Sequence, residues 1–281
     1  MGPASQHQGF VQGKAGRLSI TTCAPSQGQP RADLLFIHGA WSSSWYWEEH
    51  FLPWFAAQGY RARAVTLRGH GVSEGRVRWA SVAGYVDDVA RATADLTNPV
   101  LIGHSMGGFI AQQFAAHRKV RGLALIASVP PFGAWQSLYR IARDMPLALL
   151  RCFATLDLYP VVADPAKARS LLYSLGPGQT EKDHLLAQLK SESFRAFLDM
   201  LFLPVRHRPP PELPVLVMGA GQDRIIPAAA IAGTARFHGV SPVILPEASH
   251  MVPVDEGWLT AATALEDWIA GTVLASPDQT A

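Results

Sequence analysis

The chain has 281 residues, of which 48% are hydrophobic and 16% charged, enough apolar content for a sizeable core and too much for a disordered chain. A formal charge of +2 without a Lys/Arg cluster or stripe argues against a nucleic-acid partner, and no apolar stretch approaches the length of a membrane span. Cys23 and Cys152 stand alone, with neither metal-ligand spacing nor a disulfide framework, and residues 1–16 lack the charged start and apolar run of a secretory leader. The expectation from composition is a cytoplasmic globular protein that engages neither nucleic acid nor membrane, with monomer and homodimer both open.

In chain order, short β-type runs alternate with helical patterns, which predicts an α/β fold with a mostly parallel sheet and helices on both faces. Strands are expected at Leu18–Thr22, Leu34–Ile37, Arg63–Thr66, Val100–Ile102, Gly122–Ile126, Val215–Met218 and Pro242–Leu245. Between them lie helical segments at Trp45–Gln58, Ser81–Leu96, Met106–His117, Pro227–Phe237 and Gly257–Leu274. Over Ser81–Leu96, Val82, Tyr85, Val86, Val89 and Leu96 fall near helical spacing, leaving Asp87, Asp88 and Arg91 to solvent.

The alternation stops between about Val129 and Pro214. That stretch reads as helices at Trp135–Cys152, Asp164–Leu175 and Glu181–Met200, with no convincing strand. A helical insertion between two sheet strands sits over the strand ends as a cap, and Pro209-Pro210-Pro211 is a stiff return to the sheet. The expected division is an N-terminal tail at 1–16, a core at 17–128 and 212–275, a helical cap at 129–211 and a C-terminal tail at 276–281. Residues 1–9 and 276–281 are expected to be disordered.

The strongest chemical signal is Gly103-His104-Ser105-Met106-Gly107 behind the apolar run Val100-Leu101-Ile102. A serine hydroxyl is a poor nucleophile unless the backbone presents it to a base, and Gly-x-Ser-x-Gly does so on a tight strand-to-helix turn. The glycines remove the side chains that would collide where strand and helix close on each other. The pattern alone is weak, so partners are needed.

Asp223 follows the strand at Val215–Met218 through Gly219-Ala220-Gly221-Gln222, and His250 follows the next strand in Pro246-Glu247-Ala248-Ser249-His250. Both lie just past the C-terminal ends of strands, the edge at which open α/β sheets carry ligand chemistry. Asp183 and Asp199 fall in the helical insertion and Asp255 follows the histidine, so each suits the acid's role less well. An oxyanion hole needs two backbone N–H groups. One is expected from Met106, directly after the serine, and one from His38-Gly39-Ala40-Trp41, with Ala40 as the donor. His38 is read as a loop brace, and His70, in Arg68-Gly69-His70-Gly71, as part of a tight turn.

With these motifs in place, and with Gly219-x-Gly221-x-Asp223 and Ser249-His250-Met251, the chain from about Leu18 to Leu274 resembles the α/β-hydrolase-fold serine hydrolases. The esterases and lipases are the nearest in character, with some likeness to a small methylesterase branch. The resemblance implies Ser105 as nucleophile, His250 as base, Asp223 as orienting acid, Ala40 and Met106 as oxyanion donors, and hydrolysis of a carboxylic ester with a small apolar or aromatic group. Trp41, Met251 and Trp135 are the expected pocket residues. Gly39 and Met251 stand where hydroxynitrile lyases carry Thr and Lys. A serine where dehalogenases and epoxide hydrolases carry Asp argues against those chemistries too. The same residues also suit thioester or carbon–carbon hydrolysis, lactone formation or a base-catalysed cyclisation, or a ligand receptor with a vestigial triad.

Overall fold

The computed structural model describes residues 5–173 and 183–276. Its frame is one eight-stranded sheet in the order β1-β2-β4-β3-β5-β6-β7-β8. The strands are β1 (Ser5–Gly13), β2 (Gly16–Ala24), β3 (Asp33–Ile37), β4 (Arg61–Val65), β5 (Val100–His104), β6 (Gly122–Ile126), β7 (Val215–Ala220) and β8 (Val243–Leu245). β1–β2 and β2–β4 are antiparallel, and every pairing from β4 through β3 to β8 is parallel. The central strands β5 and β6 are buried along their whole length, as expected of parallel strands covered on both faces.

The helices α1 (Trp45–Glu48), α2 (Phe51–Ala57), α3 (Val82–Ala92) and α4 (Met106–Ala115) follow β3, β4 and β5. After β7 and β8 come α10 (Ala228–His238) and α11 (Trp258–Trp268), the latter continued by one π-helical segment at Ile269–Val273. The single helix expected over Trp45–Gln58 is broken at His50, whose backbone leaves the helical region. Pro53 accounts for the break, because it has no N–H for the Glu49 carbonyl and its ring crowds that group.

Between β6 and β7 the chain forms α5 (Trp135–Asp144), α6 (Pro146–Thr155), α7 (Pro165–Leu172), α8 (Asp183–Leu186) and α9 (Phe194–Phe202), so the helical insertion is present, with shorter helices than expected. Pro146 ends α5 by forcing Met145 into an extended φ of −139°. Ser193 starts α9 by accepting the Ala196 N–H on its hydroxyl at 3.1 Å, an N-cap. Residues 189–192 before it are not helical, and Ser193 bridges Asp157 in an antiparallel pair. The parts of the expected helices over 174–182 lie outside the described residues.

The N-terminal tail expected over residues 1–16 is corrected. Ser5–Gly13 is a strand, paired with β2 across its full length through the two-residue turn Lys14-Ala15. Its side chains are almost all exposed, so the strand is held by backbone pairing and shows no hydrophobic alternation. The outermost residues of both expected disordered tails, 1–4 and 277–281, lie outside the described residues. Among those described, no helix is long and apolar enough to cross a membrane.

Candidate active site

Ser105 sits between β5 and α4 at φ 52°, ψ −119°, a left-handed conformation that an L-residue adopts only under constraint. The constraint is close packing. A Cβ on Gly103 would lie 2.5 Å from the Gly107 carbonyl oxygen, and one on Gly107 would collide with the Ile37 and His38 carbonyl oxygens of β3 and its following loop. The turn is also tied by backbone bonds: the Ser105 N–H donates to Ile126 at 3.1 Å, and its carbonyl accepts from Val129 at 3.1 Å.

The structure brings Ser105, Asp223 and His250 together. His250 Nδ1 lies 2.8 Å from Asp223 Oδ2, and His250 Nε2 lies 3.1 Å from Ser105 Oγ. With Nδ1–H donating to the carboxylate, Nε2 is left to accept the serine hydroxyl. Asp223 is held in turn through its other oxygen, which accepts the Ile225 and Ile226 N–H groups at 2.7 and 2.8 Å, an Asx-type turn just past β7. All three residues are buried.

Two braces of the histidine were missed by sequence reasoning. His104, the residue before the serine, lies with Nε2 2.9 Å from the His250 carbonyl. Burial first, and the neighbouring His250 second, hold His104 well below the usual histidine range, so it is neutral and its Nε2–H is the donor. Asp255, considered only as a rival acid, accepts the Ser249 N–H at 2.7 Å and so holds the loop that carries His250. No sequence pattern marks either contact: the first crosses from the turn at β5 to the loop after β8, and the second folds that loop back on itself over six residues.

Gly39 places the loop after β3 against the serine, since a Cβ there would lie 2.8 Å from His104 Nδ1 and 3.0 Å from Ser105 Cβ. His38 is a brace as expected: Nε2 accepts the Leu67 N–H at 3.1 Å and Nδ1 contacts the Gly39 carbonyl at 2.8 Å. Burial, aided by His70, lowers its pKa to about 3. Met106 is the first residue of α4, where the backbone N–H has no intrahelical acceptor.

A cavity of about 60 Å³ opens on Ser105, walled by Ala40, Trp41 and Met106 from the core and by Ile141, Leu149 and Phe197 from the insertion, among others. Among the described residues no charged side chain lines it, and its Ser137 hydroxyl already donates to the Ile225 carbonyl at 3.0 Å. Of the three expected pocket residues, Trp41 lines it and the other two do not. Met251 is buried, with its N–H donating to the Leu172 carbonyl. Trp135 is 48% exposed, with its indole N–H donating to the Leu201 carbonyl at 2.9 Å and its ring edge-on to Phe202. It faces outward because α5 turns Ser137 and Ile141 inward, and position 135 falls off that face.

His70 does more than shape a turn. Its Nε2 meets the fully buried Glu192 of the insertion at 3.0 Å, and Glu192 also accepts the Tyr85 hydroxyl at 3.0 Å. Burial alone pulls the His70 imidazole down, but the Glu192 charge and hydrogen bond outweigh it, leaving His70 above its ordinary pKa.

Residues 34–262 match the model of the alpha/beta hydrolase family. The protein ABHD14A of Mus musculus is 31% identical over 146 residues, which are 50% of this chain and 59% of that protein. A non-heme chloroperoxidase of Streptomyces lividans is 35% identical over 112 residues, 38% of this chain and 39% of that protein. The chain thus spans less than two thirds of either relative. A thermostable carboxyl esterase from Bacillus coagulans superposes with a TM-score of 0.73 at 16% identity, covering 96% of this chain and 99% of that one. A thermophilic esterase from Thermogutta terrifontis gives 0.68 at 20% identity, covering 94% and 98%. At these identities the two structures speak for the fold.

Proposed function

The chain belongs to the alpha/beta hydrolase family, and we propose that within it the protein is a serine hydrolase that cleaves carboxylic esters of small apolar or aromatic substrates through an acyl-enzyme on Ser105. The observation that carries this reading is the chain of two contacts from Asp223 Oδ2 to His250 Nδ1 and from His250 Nε2 to Ser105 Oγ, at 2.8 and 3.1 Å. These distances lie within the reach a general base needs.

In the proposed reaction His250 Nε2 takes the hydroxyl proton as Ser105 Oγ attacks the ester carbonyl carbon. Asp223 stabilises the imidazolium and keeps the tautomer that leaves Nε2 free. The carbonyl electrons move onto oxygen, where the Ala40 and Met106 N–H groups, both at the cavity wall, receive the developing charge. Each such donor is worth about 3 kcal/mol. Collapse breaks the C–O bond, His250 returns its proton to the departing alcohol, and a water deprotonated by His250 then releases the acid from Ser105. The helical insertion acts as a cap that seals the acyl group into an apolar wall, which suits a neutral chain. The site's residues need no metal or cofactor for these steps, and the protein is proposed to act as a cytoplasmic enzyme on a small molecule.

The test is hydrolysis of p-nitrophenyl acetate and butyrate by wild type and Ser105→Ala. A folded variant whose kcat falls by about 10⁴-fold or more is expected. A folded variant that keeps most of its turnover would rule out Ser105 as nucleophile.

A further inference from the structure

We propose that Trp41 is a partition between two substrate subsites, one apolar and one of mixed polarity, and that it sets the size of acyl group the enzyme accepts. This rests on the ester-hydrolase reading above. Trp41 lines the cavity at Ser105 and also lines a surface cleft of about 530 Å³, and among the described residues no other is common to the two walls. On the cleft side its neighbours include Trp45, Val77, Ala187, Ser43, Gln188 and Lys190, a wall that mixes apolar surface with hydroxyl, amide and ammonium groups. On the other side the wall is aliphatic and aromatic.

The volumes make the partition matter. A space of about 60 Å³ is well below the roughly 300–1,000 Å³ of sites that hold whole ligands, so the cavity has room for a short acyl group alone. Ser105, Ala40 and Met106 border this inner space, so the carbonyl reacts at its edge, and by size the short acyl group is the part placed inside it. The alcohol part of the ester then lies outward, and the mixed wall of the cleft suits a bulky alcohol with an apolar or aromatic body.

Trp41 is built as a held element of the wall. It has φ 63°, its indole N–H donates to the Leu158 carbonyl at 3.1 Å, and its own carbonyl accepts the Lys190 N–H at 2.9 Å. Both anchors belong to the insertion, on two segments joined by the Leu158 N–H to Glu192 carbonyl bond at 3.2 Å. Because Trp41 follows Ala40 directly, the indole that limits the acyl pocket is fixed to the same loop as the oxyanion donor.

The test is the rate of Ser105 labelling by fluorophosphonates of graded alkyl length, together with kcat/KM for p-nitrophenyl acetate through octanoate, on wild type, Trp41→Ala and Ala187→Trp. Wild type should favour the short chains. Trp41→Ala joins the two spaces and should raise the octanoate-to-acetate ratio about tenfold or more, with the same trend in labelling. Ala187→Trp adds bulk at an exposed position of the cleft wall and leaves the inner cavity alone. It should slow naphthyl acetate against methyl acetate by about fivefold or more, and it decides the matter should Trp41→Ala not fold. Labelling of Ser105 with both ratios unchanged overturns the partition alone. A folded wild type that no probe labels overturns the hydrolase reading and the partition with it.

Discussion

His104 Nε2 donates to the backbone carbonyl of His250 at 2.9 Å, so the residue that precedes the nucleophile holds the loop that carries the base. The two rings also pack with centroids 4.8 Å apart. This bond couples the turn after β5 to the loop after β8, which are separated by β6 and β7 in the sheet. His104→Ala removes both this bond and the ring contact while leaving Ser105 and His250 themselves unsubstituted. A fall in kcat of about 10–100-fold is expected, with KM much less affected, from a misplacement of the base on the order of 1 Å. Steady-state kinetics beside a circular dichroism check of folding measures this.

Gly107 tests the backbone that shapes the nucleophile turn. A Cβ there meets the carbonyl oxygens of Ile37 and His38, which belong to the sheet and its rigid extension and not to a flexible side chain. Gly107→Ala should therefore destabilise by about 3 kcal/mol or more, read as a Tm lower by several degrees. A Tm equal to that of wild type would show that β3 and α4 have room to separate.

The buried histidines give pH dependences of opposite sign. His38 is held down to about 3, so below about pH 6.5 the unfolded chain takes up a proton that the folded chain refuses. Stability then falls as the pH drops through that window, by about 1.4 kcal/mol per pH unit for each such group. His70 is held above its ordinary value by Glu192 against the pull of burial. Its contribution is fully present below the ordinary histidine range and is lost as the pH rises through the elevated value. Glu192 is also met by the Tyr85 hydroxyl and the Ser193 N–H, while His38 lies against His70 with ring centroids 5.0 Å apart and the Arg68–Asp88 pair flanks the turn. In Glu192→Gln the amide oxygen still accepts from the Tyr85 and Ser193 donors, while the charge is removed and an NH2 replaces the oxygen that faces His70. The Tm deficit of Glu192→Gln should be larger at pH 6 than at pH 8.5. A deficit that grows with pH would contradict the assignment of the proton to His70.

Leu149 and Trp135 separate the pocket from the outer surface of the insertion. Leu149 lines the cavity at Ser105, whereas Trp135 stands outside it. Leu149→Ala should raise kcat/KM for p-nitrophenyl butyrate relative to acetate by about fivefold or more. Trp135→Ala should leave that ratio within about twofold, as for a surface change away from the site. Measuring both ratios in one ester series makes the comparison.

The division between what the chain announces and what it hides follows from the range of the interactions. Ser105, Asp223 and His250 each lie within a few residues of the end of a buried apolar strand, so local patterns place all three at one edge of the sheet, and the structure brings them into contact. Gly39 and Gly107 are legible for the same reason, because the turns that need them are local. The β1 strand is invisible to hydrophobic periodicity because Phe10 and Val11, adjacent in the chain, are its only large apolar residues, and the only mark it leaves is the two-residue turn between Gly13 and Gly16. Glu192 reads as one charge among many in a helical stretch. Its burial depends on His70 and Tyr85, more than 100 positions earlier in the chain. Trp135 misled for a related reason: an aromatic in an amphipathic helix is inward or outward by one residue of register, and here Ser137 and Ile141 take the inner face.

The most direct measurement is fluorophosphonate labelling of wild type and Ser105→Ala, read by intact mass and peptide mapping. A single adduct on Ser105, absent from the variant and lost on prior acylation by p-nitrophenyl acetate, is the expected result. A folded wild type that takes no adduct, or takes it on another residue, would contradict an activated serine at position 105.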